Sequence, residues 1–326
     1  MRLMLLSEHR YPAFGEIGSG LHPRAFPSGS AHWIHDLLVK GLAELGHDVF
    51  YLTRQGADKP LPSGVALVSE PMPDADIFHA SNIHHEEDLL QERQSSNKPW
   101  VATCHLDLKS RGRERLPTQE NWIFVSRTLA QLHNRERYVL NGIDPSEYIY
   151  SESKDDYFMF MSAMDWGTAK GLDLVLSLSQ QIGFKLVIAG TGRDYASINM
   201  VNEMCRKVNA HYVGDVKGRE KAELLAGAKG FLFPTKVDEA FGLGMVEALM
   251  SGTPVICSDK GACPEIICSD VGFVCKEQDD YVAAINRIAE ISPQACRDKA
   301  LRDYHYLRMA RDYVVEYQKE IERNGN

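Results

Sequence analysis

The stretch whose reading decides the fold is residues 231–258, FLFPTKVDEAFGLGMVEALMSGTPVICS. The apolar run from Phe231 to Thr235, interrupted by Pro234, has the pattern of a strand buried on both faces, and Val255 to Cys257 has it again. Between them a helix is expected. It opens near Gly242, sets Val246, Leu249 and Met250 on one apolar face, and stops at Gly252 with Pro254 just beyond. Strand, loop, helix and strand in succession build a parallel α/β sheet, which binds ligands at the loops that follow its strands.

Glu239 lies in that loop and Glu247 in the helix, with seven residues between them, so both can face one cleft. Gly242 and Gly244 let a ligand approach the backbone closely, and the first amides of the helix favour an anion. Carboxylates accept hydrogen bonds from sugar hydroxyls. A molecule with both phosphates and hydroxyls suits this pair of features, and a nucleotide sugar is such a molecule.

The bulk properties set the frame. At 326 residues the chain suits two domains of about 150 residues each. An apolar fraction of 44% with 25% charged residues is that of a soluble globular protein, and a net charge of −9 argues against a nucleic-acid partner. Apolar runs stay well short of the roughly 18 residues a membrane span needs, so no transmembrane segment is expected. Residues 1–6 read as a first strand rather than a leader, and seven cysteines without a C-x-x-C pair suggest reduced thiols and a cytoplasmic location. Cys257, Cys263, Cys268 and Cys275 crowd one region, but their spacings fit no zinc pattern, so no metal site is expected.

Along the chain, strands are expected at residues 2–7, 48–53, 65–69, 77–79, 100–104 and 121–125. The loop 8–29 is long enough to suggest a functional loop. A helix follows it, with Trp33, Ile34, Leu37, Leu38 and Leu42 in register and Gly46 as its stop; His32 and His35 on this helix are assigned surface or packing roles. His84 and His85 open a charged, solvated segment. His105 ends a strand in T-C-H-L-D, where side chains point into a crevice, with Asp107 just beyond. Lys109, Arg111, Arg113 and Arg115 form a small basic run that could grip an anionic acceptor or touch a membrane surface.

A polar stretch, residues 151–156, reads as a linker, so the boundary between domains falls near 150. Further strands are expected at 157–162, 184–189, 212–215 and 271–275, and a helix carries Ala222, Leu225 and Ala226. Lys170 precedes a helix start, which is electrostatically unfavourable unless an anion offsets it. The G-T-G-R-D at residues 190–194 is a weak dinucleotide signal, since it is not G-x-G-x-x-G after a first strand. From Arg297 to about Arg323 one long helix is expected, with Leu301, His305, Met309, Tyr313, Tyr317 and Ile321 along one side.

The run E-A-F-G-L-G-M-V-E-A-L-M-S-G-T-P-V-I, followed by G-A-C-P-E-I, resembles the signature of the retaining glycosyltransferases of family four, whose fold is GT-B. The resemblance covers residues 157–290 well and the earlier part loosely. It implies two Rossmann-like, doubly wound α/β domains facing a central cleft: 1–150 on the acceptor side, 151–303 holding the nucleotide sugar, and 304–326 as a C-terminal helix returning to the first. It implies a metal-independent, retaining hexosyltransferase of carbohydrate biosynthesis that moves a sugar from a nucleoside-diphosphate sugar, expected to be a UDP-sugar, to a sugar, a lipid-linked sugar or a small molecule. No further cofactor is implied. Phosphorolysis or epimerisation on the same fold, and silent nucleotide-sugar binding, are the alternatives.

By the same resemblance His105, Glu239 and Lys170 are catalytic. Glu239 holds the donor sugar, Lys170 the diphosphate and Glu247 the ribose. Gly29 approaches the phosphates, Val216 lies in the base-contacting loop, Phe241, Gly242, Leu243 and Gly244 form the turn, and Pro264 with Glu265 matches the family's PE. Two positions depart from the pattern: Ser30 stands for a second glycine, and Met164 for an arginine of the diphosphate clamp. Arg193 is the candidate to replace that arginine.

Overall fold

In the computed structural model residues 1–12, 30–81, 98–106, 121–164, 168–190 and 195–325 are described. They fall into two compact units, one holding the described residues up to Asp144 together with Asp303–Asn326, the other holding Pro145–Arg302. The expectation had placed these divisions at 150 and 303.

The first unit runs β1 (Arg2–Ser7), α1 (Ser30–Glu44), β2 (Asp48–Thr53), β3 (Val65–Leu67), β4 (Ile77–Ala80), β5 (Trp100–Cys104), β6 (Trp122–Phe124) and α2 (Arg127–Leu132). The second runs β7 (Asp155–Met161), α3 (Leu172–Ile182), β8 (Leu186–Ala189), α4 (Tyr195–Cys205), β9 (Ala210–Gly214), α5 (Gly218–Gly227), β10 (Ala228–Phe233), α6 (Leu243–Met250), β11 (Val255–Ser258), α7 (Cys263–Ile266), β12 (Gly272–Cys275), α8 (Gln278–Arg287) and α9 (Pro293–Asp303). A last helix, α10 (Tyr306–Gly325), belongs to the first unit.

Each unit is built on one six-stranded sheet, ordered β3-β2-β1-β4-β5-β6 in the first and β9-β8-β7-β10-β11-β12 in the second. All pairings are parallel, with Leu3 beside both Val49 and Ile77, and Phe231 beside both Met159 and Val255. Parallel strands covered on both faces read as unbroken apolar runs, which is why β4, β5 and β11 are buried along their whole length. The order reverses between β1 and β4 and again between β7 and β10. At such a reversal the connections diverge to opposite faces and leave a crevice beyond the strand ends. The expected strands are all present; several shift at their ends, as with β7, which begins at Asp155 inside the stretch expected to be linker.

The C-terminal segment differs from the single helix expected from residue 297. Two helices meet at a break, where Ile143 N donates to Tyr304 O (2.8 Å) and Tyr306 N to Ile143 O (3.1 Å). Backbone groups that pair with residue 143 cannot also serve the i→i−4 ladder, and a side-chain periodicity does not reveal such a diversion. Met309, Tyr313 and Tyr317 are buried as the stripe required, whereas Leu301, before the break, is exposed.

A buried charge group anchors α10. Arg137 Nε donates to Glu316 (2.7 Å) and its NH1 to Glu320 (2.8 Å), and both glutamates are nearly buried. Burial opposes ionisation of Glu316, but Lys319 and Arg137 outweigh it and hold the carboxyl below its ordinary range. Replacing Arg137 with Ala strands two carboxylates and should lower stability by about 3 kcal/mol in urea unfolding at neutral pH. Because the folded value is depressed, the stabilisation is present above the ordinary glutamate range, about pH 4.3, and is lost as pH falls through the folded value. The cost of the substitution should shrink there.

Candidate active site

The loop after β10 is held from the neighbouring connection. Ala262 N donates to Glu239 O (2.8 Å) and Gly261 N to Asp238 Oδ1 (3.2 Å). Gly261 has φ +54°, and a Cβ there would stand 2.2 Å from Glu239 N and 2.3 Å from its O, so only glycine admits this approach. The role of Gly261 escaped the sequence reading, which noted the adjoining Pro264 and Glu265. Gly242 caps α6 with φ +92°, and a Cβ there would meet Met245 Cε at 2.4 Å. The helix opens where expected, yet it is buried on every side from Met245 through Met250, Glu247 included.

Lys170 lies in the connection after β7, one residue before Gly171, the N-cap of α3. Its Nζ is 2.5 Å from Glu239 Oε2, with the two side chains 25% and 17% exposed. Lys236 N also donates to Ala169 O (2.8 Å), joining the two connections. The pair therefore spans the crevice where the order of the second sheet reverses. A cation at a helix start needs a compensating anion, and here Glu239 supplies it.

Glu247 is set deeper. Its Oε1 accepts from Tyr148 Oη (2.9 Å) and Lys221 Nζ (2.8 Å), while Oε2 takes no hydrogen bond from a described residue. Sequence reasoning missed Tyr148 and Lys221, which lie about 100 and 26 residues away in the chain. Only the folded chain brings a cation and a phenol to one carboxylate oxygen, so no spacing rule would find them.

The remaining expected site residues divide. Val216 and Phe241 are buried, and Leu243 and Gly244 are partly exposed at the head of α6. Met164 is 1% exposed and packs in the core cluster that holds Phe160, Leu172 and Ile188, its Cε facing Gly190. This position has become part of the core instead of a clamp. His105 follows β5 in the first unit. Burial, with the charge of His32 second, lowers its pKa to about 3, against a hydrogen bond with the Ser81 backbone that raises it, so the ring is neutral at pH 7. Gly29, Arg193, His84, His85, Asp107 and the basic run at 109–115 lie outside the described residues. Among the described residues no three or more His, Cys, Asp or Glu are placed to hold a metal ion, and no helix is long and apolar enough to cross a membrane.

Residues 149–303, almost the whole second unit, match the family model of glycosyl transferases group 1. The second unit is a glycosyl transferases group 1 domain. The chain is 26% identical over 202 residues to D-rhamnosyltransferase WbpZ of Pseudomonas aeruginosa, a match covering 53% of this chain and 52% of that protein. It thus spans about half the length of this curated relative. Among solved structures it resembles AviGT4, a glycosyltransferase involved in avilamycin A biosynthesis, with TM-score 0.75, 21% identity and coverage of 99% and 98%. It also resembles Anabaena Alr3699/HepE in complex with UDP, with TM-score 0.72, 13% identity and coverage of 98% and 100%. The fold is therefore GT-B, two Rossmann-like parallel-sheet units, as the resemblance to family four implied.

The Lys170–Glu239 pair is open to direct measurement. Partly exposed pairs are worth little because solvent screens them. A double-mutant cycle on Lys170→Ala and Glu239→Ala in the ligand-free protein should give a coupling of about 0.5–1 kcal/mol, read from urea midpoints and slopes. Additive effects would mean that the contact is not maintained in solution.

Proposed function

We propose that this chain is a retaining, metal-independent glycosyltransferase that moves a hexose from a nucleoside-diphosphate sugar, a UDP-sugar, to a hydroxylated acceptor. The observation that carries the reading is the Lys170–Glu239 pair across the sheet reversal of a group 1 domain. In this reading a bound donor replaces the contact: its diphosphate takes Lys170 and the amides at the head of α6, and its sugar hydroxyls take Glu239. Glu247 Oε2 accepts from the ribose. The bond from the anomeric carbon to the diphosphate breaks, and the stabilised quantity is the charge that develops on the leaving phosphate. Lys170 is the group placed to supply that stabilisation. UDP in the solved HepE complexes supports the choice of nucleotide. His105, kept neutral by burial, keeps the catalytic role that the resemblance implies, and the protein acts in the cytoplasm on soluble or membrane-bound acceptors.

A thermal-shift series with UDP, GDP, ADP and TDP tests the donor site, because a ligand that binds the folded state raises Tm by mass action. UDP should give the largest rise. Silence from all four at millimolar concentration would remove the donor assignment. Glu247→Ala should weaken UDP binding by about 1–3 kcal/mol through loss of a charged hydrogen bond.

Glu239→Gln should lower turnover far more than UDP affinity, because the carboxylate faces the sugar and not the nucleotide. Equal losses in both would contradict that role. Turnover should also survive EDTA; loss on chelation with rescue by a divalent ion would refute metal independence. A second reading, binding of nucleotide sugars without transfer, is favoured by the buried Met164, where the family has a clamp arginine. Tight UDP binding with no transfer from any UDP-sugar would decide for it.

A further inference from the structure

The lysine–glutamate pairs Lys170–Glu239 and Lys221–Glu247 of the second unit are built differently. Lys170 and Glu239 meet at a partly exposed contact. Lys221 and Glu247 meet nearer the interior, with side chains 24% and 7% exposed and Nζ 2.8 Å from Oε1. Tyr148, itself buried, donates its hydroxyl to the same Oε1 at 2.9 Å. The Lys221 ammonium lies 5.8 Å from the centre of the Tyr148 ring, within cation–π range, so each of the three side chains faces the other two. They come from three segments of one unit: Tyr148 follows the short 3₁₀ turn at Pro145–Glu147, Lys221 lies on α5 and Glu247 on α6.

The stability of the fold gives little reason for this arrangement. A carboxylate on a helix buried from Met245 to Met250 carries a desolvation cost that an apolar side chain would not. Buried ion pairs can often be exchanged for apolar residues of similar volume with no loss of stability. What such an exchange would lose is orientation. Each oxygen of a carboxylate offers about two lone-pair positions, and on Oε1 the phenol and the ammonium take them. A lysine alone is a mobile donor on a four-carbon stem, and the buried tyrosine ring adds a rigid one. Together they hold the plane of the carboxylate.

We propose that Tyr148 and Lys221 are positioning residues that make Glu247 a reader of the ribose cis-diol, so that the donor is built on a ribonucleoside diphosphate and not on its 2′-deoxy form. The proposal rests on the glycosyl-transfer reading above, in which Glu247 accepts from the ribose. With Oε1 held by the protein, hydroxyls of the nucleotide are received on Oε2, in the direction that Tyr148 and Lys221 set. A cis-diol brings two donors on adjacent carbons to that one oxygen. A deoxyribose brings a C–H in place of one of them, and the desolvated carboxylate loses a partner. A site built to accept from a substrate hydroxyl rejects the analogue lacking it more strongly than an apolar pocket rejects an extra methylene, because its own polar atom goes unpaired. The selection requires a carboxylate that keeps its orientation. One able to rotate would find other donors and take either nucleotide. Thymidine diphosphate sugars, which have no cis-diol, fall on the rejected side.

Calorimetric titration of the full chain with UDP and with 2′-deoxy-UDP tests the assignment. The wild type should bind UDP about tenfold or more tightly than 2′-deoxy-UDP, the size of a lost hydrogen bond to a charged group. Tyr148→Phe keeps the ring and removes only the hydroxyl, and Lys221→Met removes the ammonium. In both, UDP affinity should fall while that of 2′-deoxy-UDP stays within about twofold, as for uncoupled sites, so the ratio drops toward one. For a UDP-sugar that the wild type turns over, both substitutions should raise KM more than they lower kcat, because the ribose is held alike in the ground and transition states. Equal losses for the two nucleotides, or a lowered Tm with the ratio intact, would show that the three side chains only support the fold and would overturn the proposal. A wild type that binds both nucleotides alike would overturn it too. If Lys221→Met does not fold, Tyr148→Phe carries the same readings. UDP binding with an unchanged ratio in the variants leaves the donor reading standing and removes this one, whereas no binding of UDP to the wild type removes both.

Discussion

Everything in this protein follows from the demand that parallel strands be joined by right-handed crossovers. A parallel pair cannot be closed by a tight turn, so each strand must be followed by a connection over one face of the sheet. In both units the chain builds outward for three strands and then returns to build the other way, giving the same order in each sheet. Where the direction changes, neighbouring connections cover opposite faces and the ends of two strands stand open between them. Polar groups collect at these two places. In the second unit they are Lys170, Glu239 and Glu247; in the first, Ser7, His9, His32 and Ser81.

The two crevices solve the problem of buried polarity differently. The second uses full charges that neutralise one another, Lys170 with Glu239 and Lys221 with Glu247. Removing one member of such a pair costs more than the pair contributes, because the other charge is left desolvated. A ligand that brings its own anion and hydroxyls can take over such partners without that penalty. The first crevice contains His105, held neutral by burial, and a hydrogen-bonded chain of Ser81, Ser7 and His9 ended by the Asp36 carboxylate.

Glycines and one tyrosine show how much of the second crevice depends on backbone approach. Gly261 passes against the peptide of Glu239 too closely for any side chain, and this contact orients the loop from the side of β11. Tyr148 enters from the first residues of the unit and shares with Lys221 the same oxygen of Glu247. The carboxylate is thereby held through one oxygen, Oε1. A buried Met164 beside Gly190 completes the core under this end of the sheet, so an arginine would not fit at this position without repacking.

Several features were legible in the chain alone. The strand–loop–helix–strand run at 231–258 was enough for the parallel sheet, because a strand buried on both faces must be apolar throughout and a helix cap there must be glycine. The glutamate pair at 239 and 247 and the lysine at 170 could be singled out for the same local reason, an unusual charge beside a helix start. Other features have no local signature. The break at Tyr304 and His305 comes from pairing with Ile143, a backbone demand that leaves the helical spacing of side chains intact. Tyr148 and Lys221 reach Glu247, and Asp36 reaches His9 and Tyr51, only because the fold brings distant segments together. His32 and His35, read as surface or packing residues, fall beside that chain for the same reason. The chain by itself determined which segments are strands and helices, since burial on two faces or one is written in each segment's own periodicity. Which polar groups meet was decided by the tertiary structure alone, since hydrogen bonds depend on positions in space and not on spacing along the chain.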